Sequence, residues 1–250
     1  VARLGLVKLE KGKKVKGKAM VVGATGAIGA ACARLLARTT EELHLVSPEA
    51  AKLLVLEKSI LQESPGVKLV LASYADTDAS IGDMDMIVTA TSGAGKKILD
   101  IMRVKPGCVI TDVARPLDLS PEDVAKRPDV LVIESGEVSL PGDVRMKSIG
   151  FEDRHVVYAC LAETIVLALE GRFENFTLGR NLEWKKVHEI YKLGLKHGMQ
   201  LAAVSGINGT YSDEDIARVR TLAVEARKRW KKPVNKKPAK KKQKRRRAPA

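Results

Sequence analysis

The stretch "KAMVVGATGAIGAACARLLART", residues 18–39, limits the fold of this chain more than any other. Residues 18–22 read as a short buried β run. Ile28, Ala31, Leu35 and Leu36 then fall on one face of a helix. Three glycines separate the two elements in the spacing GxxGxxG. Gly23 permits a tight turn. Gly26 lets a diphosphate approach the backbone at a helix N-terminus, where free N–H groups and the dipole favour anions. Gly29 lets the helix pack close to the sheet. A glycine turn between a strand and a helix is the context of a dinucleotide site. Gly23, Ala24, Thr25, Gly26, Ala27, Ile28 and Gly29 are therefore the expected cofactor cradle.

The pattern repeats downstream. Further β runs lie at 43–47, 67–73, 84–92, 107–114 and 129–136. Helices are expected at 48–62, from about 96 to 102, and at 120–127 behind the cap Ser120. Alternating strands and helices predict an α/β fold, a doubly wound, Rossmann-like, mostly parallel sheet over 19–150. Residues 151–230 read as helical, with helices at 153–170, 183–197 and from Ser212.

The tip of the second strand, Val46-Ser47-Pro48, has no acid at its end, and Ser47 can bond a phosphate. That favours NADPH, with NADH as the alternative. "TATSGAG" follows the fourth strand at the edge a cofactor would cross, which adds Ala90, Thr91 and Ser92 to the expected contacts. Asp112 reads equally as a polar contact near the nicotinamide or as the cap of the next turn.

The formal net charge of +14 is unevenly placed. Residues 231–250 hold eleven Lys or Arg and no acid, and 1–18 carry +6, which leaves −3 on the body between them. The basic tail 231–250 cannot bury enough apolar surface to fold and is expected to be disordered. Its nucleic-acid binding is a minor alternative to a solubilising role. No apolar run is long enough to span a bilayer and no signal pattern is visible. Three cysteines without a CxxC fit a reducing, cytoplasmic compartment. The four histidines have no zinc-site spacing, so no metal is expected.

The cysteines differ in setting. Cys32 sits among alanines on the first helix and reads as core. Cys108 precedes the β-branched run "VITDV" and also reads as core. Cys160 shares a helix face with Glu163 and Thr164 and follows Arg154, His155 and Tyr158. A cationic setting favours a reactive thiolate, but free cysteines are usually small buried hydrophobes. The residues alone leave both roles open.

"VVGATGAIG", "YACLAETIVLALEG", "NFTLGRN" and "KHGMQ" occur here in one order and spacing. In these the chain resembles the cyanobacterial-type long-chain acyl-[acyl-carrier-protein] reductases from about Leu4 to Leu201. The resemblance implies NADPH-dependent reduction of an acyl thioester, on acyl-carrier protein or CoA, to a fatty aldehyde. It implies that Cys160 takes the acyl group as a thioester. That family has a further N-terminal domain that helps hold the acyl chain, so 1–18 is expected to be the remnant of one. It has Arg near the second strand tip where this chain has Pro48. "KPGCVITDVARP" also resembles the methylenetetrahydrofolate and shikimate dehydrogenases, which leaves a cysteine-independent dehydrogenase as the alternative.

Overall fold

A computed structural model of the protein describes residues 1–93, 98–144, 147, 153–179 and 182–231. β1 (Val15–Val22) leads through the glycine turn into α1 (Ala27–Thr39), β2 (Thr40–Val46), α2 (Ala50–Glu63) and β3 (Lys68–Ala72). The short helix α3 (Thr77–Ser80), β4 (Met86–Thr89), β5 (Val109–Asp112), α4 (Pro121–Ala125) and β6 (Leu131–Glu134) follow. Then come β7 (Glu137–Ser139), β8 (Val156–Tyr158), α5 (Ala159–Leu169) and α6 (Trp184–Lys196). The two-residue strands β9 (Gln200–Leu201), β10 (Ser205–Gly206) and β11 (Gly209–Thr210) precede α7 (Asp213–Arg229).

The main sheet runs β11-β10-β6-β5-β4-β1-β2-β3, and its six inner-to-edge strands from β6 to β3 are all parallel. This is the doubly wound, Rossmann-like order. Successive connections reverse direction between β1 and β4, and such a switch point opens a crevice at the carboxyl ends of the strands. The period-2 alternation of each strand fills both faces. Ala19 and Val21 of β1 join Ala33 and Ala37 of α1 and Leu53, Leu56 and Ile60 of α2. Met20 and Val22 point the other way, into a core with Ile81, Ile87, Ile101, Ile110, Val124 and Val132.

A second, antiparallel sheet, β8-β7-β9, carries α5 and α6 on its own core of Leu140, Val157, Ala162, Val166 and Met199. The chain then returns to the main sheet, where β10 pairs antiparallel with β6. α7 packs Ile216 and Val219 on Val109 and Leu131, together with Leu4 from the N-terminal segment. Its start is a full capping box between Ser212 and Asp215. At its end Arg227 Nε donates to Pro106 O at 2.9 Å, and the Trp230 ring lies against the buried Arg127.

Several expectations need correction. The helix expected over 153–170 is split: Val156 and Val157 extend as β8 against β7, and the helix begins only at Ala159. The segment after Gly150 is therefore not all helix. Between β4 and β5 the described residues hold a single 3-10 turn, Ile101–Arg103, and the rest of the expected 96–102 helix includes 96–97, outside the described residues. The tail beyond Lys231, and Arg180-Asn181 of "NFTLGRN", also lie outside them. The expected strands are shorter by one to several residues at most ends, because pairing ends where the neighbouring strand does. No helix among the described residues is long and apolar enough to cross a membrane.

Candidate functional site

The glycine turn sits at the carboxyl end of β1, beside the switch point. Gly23 has a φ of +85°, and a Cβ there would lie 2.5 Å from Ala90 O. Only glycine satisfies both. The turn is tied to β2 by the Gly23 and Ala24 N–H groups, which donate to Val46 O at 2.9 and 3.0 Å. Gly29 meets the turn from the helix side. A Cβ there would lie 2.8 Å from the Gly23 carbonyl carbon and closer still to its oxygen. Gly26 differs: it is the N-cap of α1, with ordinary φ and no side-chain cap, and a Cβ there would make only a tight contact, 3.3 Å from Gly23 O. The first-turn N–H groups of Ala27, Ile28 and Gly29 lack acceptors within the helix, as at any helix start. These donors, bare of any side chain at Gly26, fit a diphosphate.

The other expected contacts divide. Thr25 stands at the turn, with its hydroxyl 2.6 Å from Ser47 Oγ and 2.9 Å from Glu49 Oε2. Ser47 Oγ also accepts from the Glu49 N–H at 3.2 Å, and Lys52 pairs with the Glu49 carboxylate. An acid therefore does stand at the β2 tip. Glu49 follows Pro48 in the sequence, and the turn folds it back over the glycine loop. Ala24 is buried with its N–H engaged, and Ile28 lies on the exposed side of α1. Ala90, Thr91 and Ser92 line the facing edge. Thr91 is held by Asp118, whose carboxylate accepts from its N–H at 3.0 Å and its hydroxyl at 2.5 Å.

Of its two readings, Asp112 takes the structural one. It is 1% exposed and accepts from the N–H groups of Ala114, Asp118 and Leu119 at 3.1, 2.8 and 3.0 Å. Burial raises its carboxyl above the usual range, against the pull of those bonds. Asp112 and Asp118 thus form a relay that fixes the turn after β5 against the loop after β4. Sequence reading missed Asp118. The signal was present in "DVARPLD", six residues after an Asp already singled out.

Cys108 is fully buried, and burial drives its thiol far above the ordinary range. Cys32 is half-buried and shifts the same way for the same reason. Cys160 is exposed, the second residue of α5. A ladder of backbone bonds connects its position to the glycine turn. Ala159 N–H donates to Gly136 O at 2.8 Å, Ser135 N–H to Asp112 O at 3.1 Å, Val113 N–H to Thr89 O at 2.9 Å and Ala90 N–H to Val22 O at 2.9 Å. Cys160 therefore stands on the same carboxyl side of the sheet, four hydrogen-bonded steps from β1, which is about 19 Å at ordinary strand spacing.

Arg115, which sequence reading left unassigned, reaches across that edge. Its guanidinium donates to Ala114 O at 2.9 Å and Ser135 O at 2.8 Å, and lies 3.9 Å from Glu137. Glu137 pairs with Tyr158, so Arg115 borders the start of α5. Thr164 donates to Cys160 O at 3.3 Å, and Glu163 accepts from the Thr177 hydroxyl at 2.5 and 2.6 Å. Among the described residues no hydrogen bond or ion pair joins Arg154 or His155 to Cys160.

No protein-family model matches the chain. It is 36% identical over 180 residues to the aminotransferase PigE of Serratia sp. (strain ATCC 39006), covering 71% of this chain and 21% of that protein. It is 26% identical over 190 residues to the long-chain acyl-[acyl-carrier-protein] reductase of Synechococcus elongatus, covering 74% of this chain and 53% of that one. It is 31% identical over 101 residues to the shikimate dehydrogenase (NADP(+)) of Rhodospirillum rubrum, covering 39% and 35%. The chain thus spans from about a fifth to about a half of the length of these relatives.

Proposed function

We propose that this chain binds a nicotinamide dinucleotide at the glycine turn and reduces an acyl thioester to an aldehyde through Cys160. One observation carries the proposal: the exposed thiol of Cys160 stands at a helix start on the same sheet edge as the glycine turn. The similarity to a long-chain acyl-[acyl-carrier-protein] reductase supports the substrate class. The acyl donor is an acyl-carrier protein or acyl-CoA.

In this reading the Cys160 thiolate attacks the thioester carbonyl carbon. A carbon–sulfur bond forms, the donor's own carbon–sulfur bond breaks, and the departing thiolate takes up a proton. The oxyanion of that step meets the uncapped first turn of α5, where the N–H groups of Cys160 and Leu161 and the guanidinium of Arg115 are the available donors. The nicotinamide, when bound, supplies hydride to the carbonyl carbon. Cys160 holds that carbon at the strand edge and receives the electron pair when its bond to carbon breaks. The sum is two electrons and two protons per thioester, giving aldehyde and free thiol.

For the dinucleotide, Ser47 and Thr25 suit the 2′-phosphate of NADPH, and Glu49 suits the free ribose hydroxyls of NADH. A second reading, a thiol-independent dehydrogenase, draws on the similarity to shikimate dehydrogenase. Cys160→Ala separates the two. The first expects dinucleotide affinity to persist and aldehyde formation to vanish. Aldehyde formation at the wild-type rate would overturn it.

A further inference from the structure

A groove of about 670 Å³ runs along α5. Thr164, Leu167 and Ala168 form its floor on the helix, and Phe173, Phe176 and Leu178 enclose it from the segment that follows. At 100° per residue, Cys160, Glu163, Thr164, Leu167 and Ala168 occupy one face of the helix. The opposite face, with Ala162 and Val166, is buried on the small sheet. The groove is therefore a continuation of the face that bears the thiol. The Glu163–Thr177 hydrogen bonds pin the covering segment one turn from Cys160. Phe176 is held underneath by Arg172, whose guanidinium lies 4.7 Å from its ring. Phe173 is 90% exposed and Leu178 64% exposed, so the far wall keeps large apolar side chains in water.

We propose that this groove takes the aliphatic chain of the acyl group carried on Cys160. The inference rests on the thiol having the role given above, and adds where the substrate's apolar part lies. Three features select this occupant. The groove starts at Glu163 and Thr164, one helical turn beyond the thiol on the same face of α5. It leads toward the C-terminus of α5, away from the sheet edge where the dinucleotide would bind. From Cys160 to Ala168 is about 12 Å along the helix, with the groove lining the part from Glu163 onward, a path suited to an extended chain rather than to a bulky ring. With the chain in the groove, the thioester carbonyl is left at the helix start, facing the cofactor edge.

Acyl loading of Cys160 from acetyl-, hexanoyl- and decanoyl-N-acetylcysteamine, followed by intact mass, tests this without a carrier protein. Burial of each methylene should raise the loading rate about fourfold until the groove is filled. Ala168→Trp fills the groove from an exposed position. It should slow decanoyl loading at least tenfold and leave acetyl loading and iodoacetamide labelling of Cys160 unchanged. Leu178→Asp should act in the same direction. Equal loading of acetyl and decanoyl groups, or an unaltered chain-length profile in Ala168→Trp, would overturn the groove and spare the thiol. A calorimetric titration of Cys160→Ala protein with decanoate reads the groove independently. Binding weakened by Ala168→Trp is expected even if no thioester loads Cys160, an outcome that would instead refute the thiol's role. Decanoate binding indifferent to Ala168→Trp would overturn the groove.

Discussion

Gly26 and Gly29 stand three residues apart in one motif, yet alanine at each should fail differently. At Gly29 a Cβ would lie 2.8 Å from the Gly23 carbonyl carbon and nearer to its oxygen. The turn cannot retreat, because Gly23 and Ala24 are bonded to Val46 O and Gly23 already abuts Ala90 O. The first turn of α1 must therefore move outward. Overpacking of this kind costs about 1–3 kcal/mol, offset by about 0.4–1 kcal/mol from the stiffer unfolded chain. Gly29→Ala should lose about 1–2 kcal/mol by urea unfolding and, with its N–H groups displaced, at least tenfold in dinucleotide affinity. At Gly26 a Cβ would meet Gly23 O at 3.3 Å, a tight contact that a shift of the helix start by a few tenths of an ångström relieves. Gly26→Ala should change stability by less than about 1 kcal/mol, the scale of a lost N-cap preference. It should still weaken dinucleotide binding about tenfold or more, since its methyl group enters the space left for the diphosphate. Gly66→Ala, with nothing within 4 Å, is the control. Unchanged affinity in Gly26→Ala, measured by cofactor fluorescence, would refute the assignment of this turn to the dinucleotide.

Glu42 gives a pH prediction. Lys68, then His44 and Lys18, hold its carboxyl down at about 2, against an ordinary 4.5. A depressed carboxylate contributes stability above its unfolded value and loses it as pH falls through the folded one. Glu42→Gln should therefore cost about 1–2 kcal/mol at neutral pH and flatten the loss of stability between about pH 4.5 and pH 2 in urea titrations. Glu49→Gln should raise the preference for NADPH over NADH about tenfold, the ~1.4 kcal/mol expected for a screened like-charge repulsion at the β2 tip. An unchanged ratio of dissociation constants would contradict that geometry. Iodoacetamide should label Cys160 in the native protein and Cys108 only after unfolding, read by peptide mass spectrometry.

Much of the fold was legible because its signals are local. The glycine spacing, the Ser120 and Ser212 caps and the alternating strands each act within a few residues. What the sequence hid depends on partners far along the chain. Val156–Tyr158 is too short to announce itself and becomes a strand only because Glu137–Ser139 lies beside it. Glu49 reads as a helix residue until a turn brings it to Thr25. Asp112 stands out in the sequence, but its backbone-capping bonds come from Asp118 and Leu119, which only the folded loop supplies. Cys160 was the best of three cysteines by its neighbours, while its exposure and its place on the carboxyl edge came from the fold.

The covalent role of Cys160 is the centre of this account, and intact mass spectrometry reads it directly. The protein is incubated with decanoyl-N-acetylcysteamine, and NADPH is then added. The expected result is one decanoyl adduct, mapped to Cys160, that disappears on adding NADPH as decanal forms. No adduct on Cys160, or an adduct that NADPH leaves in place while decanal accumulates, would contradict it.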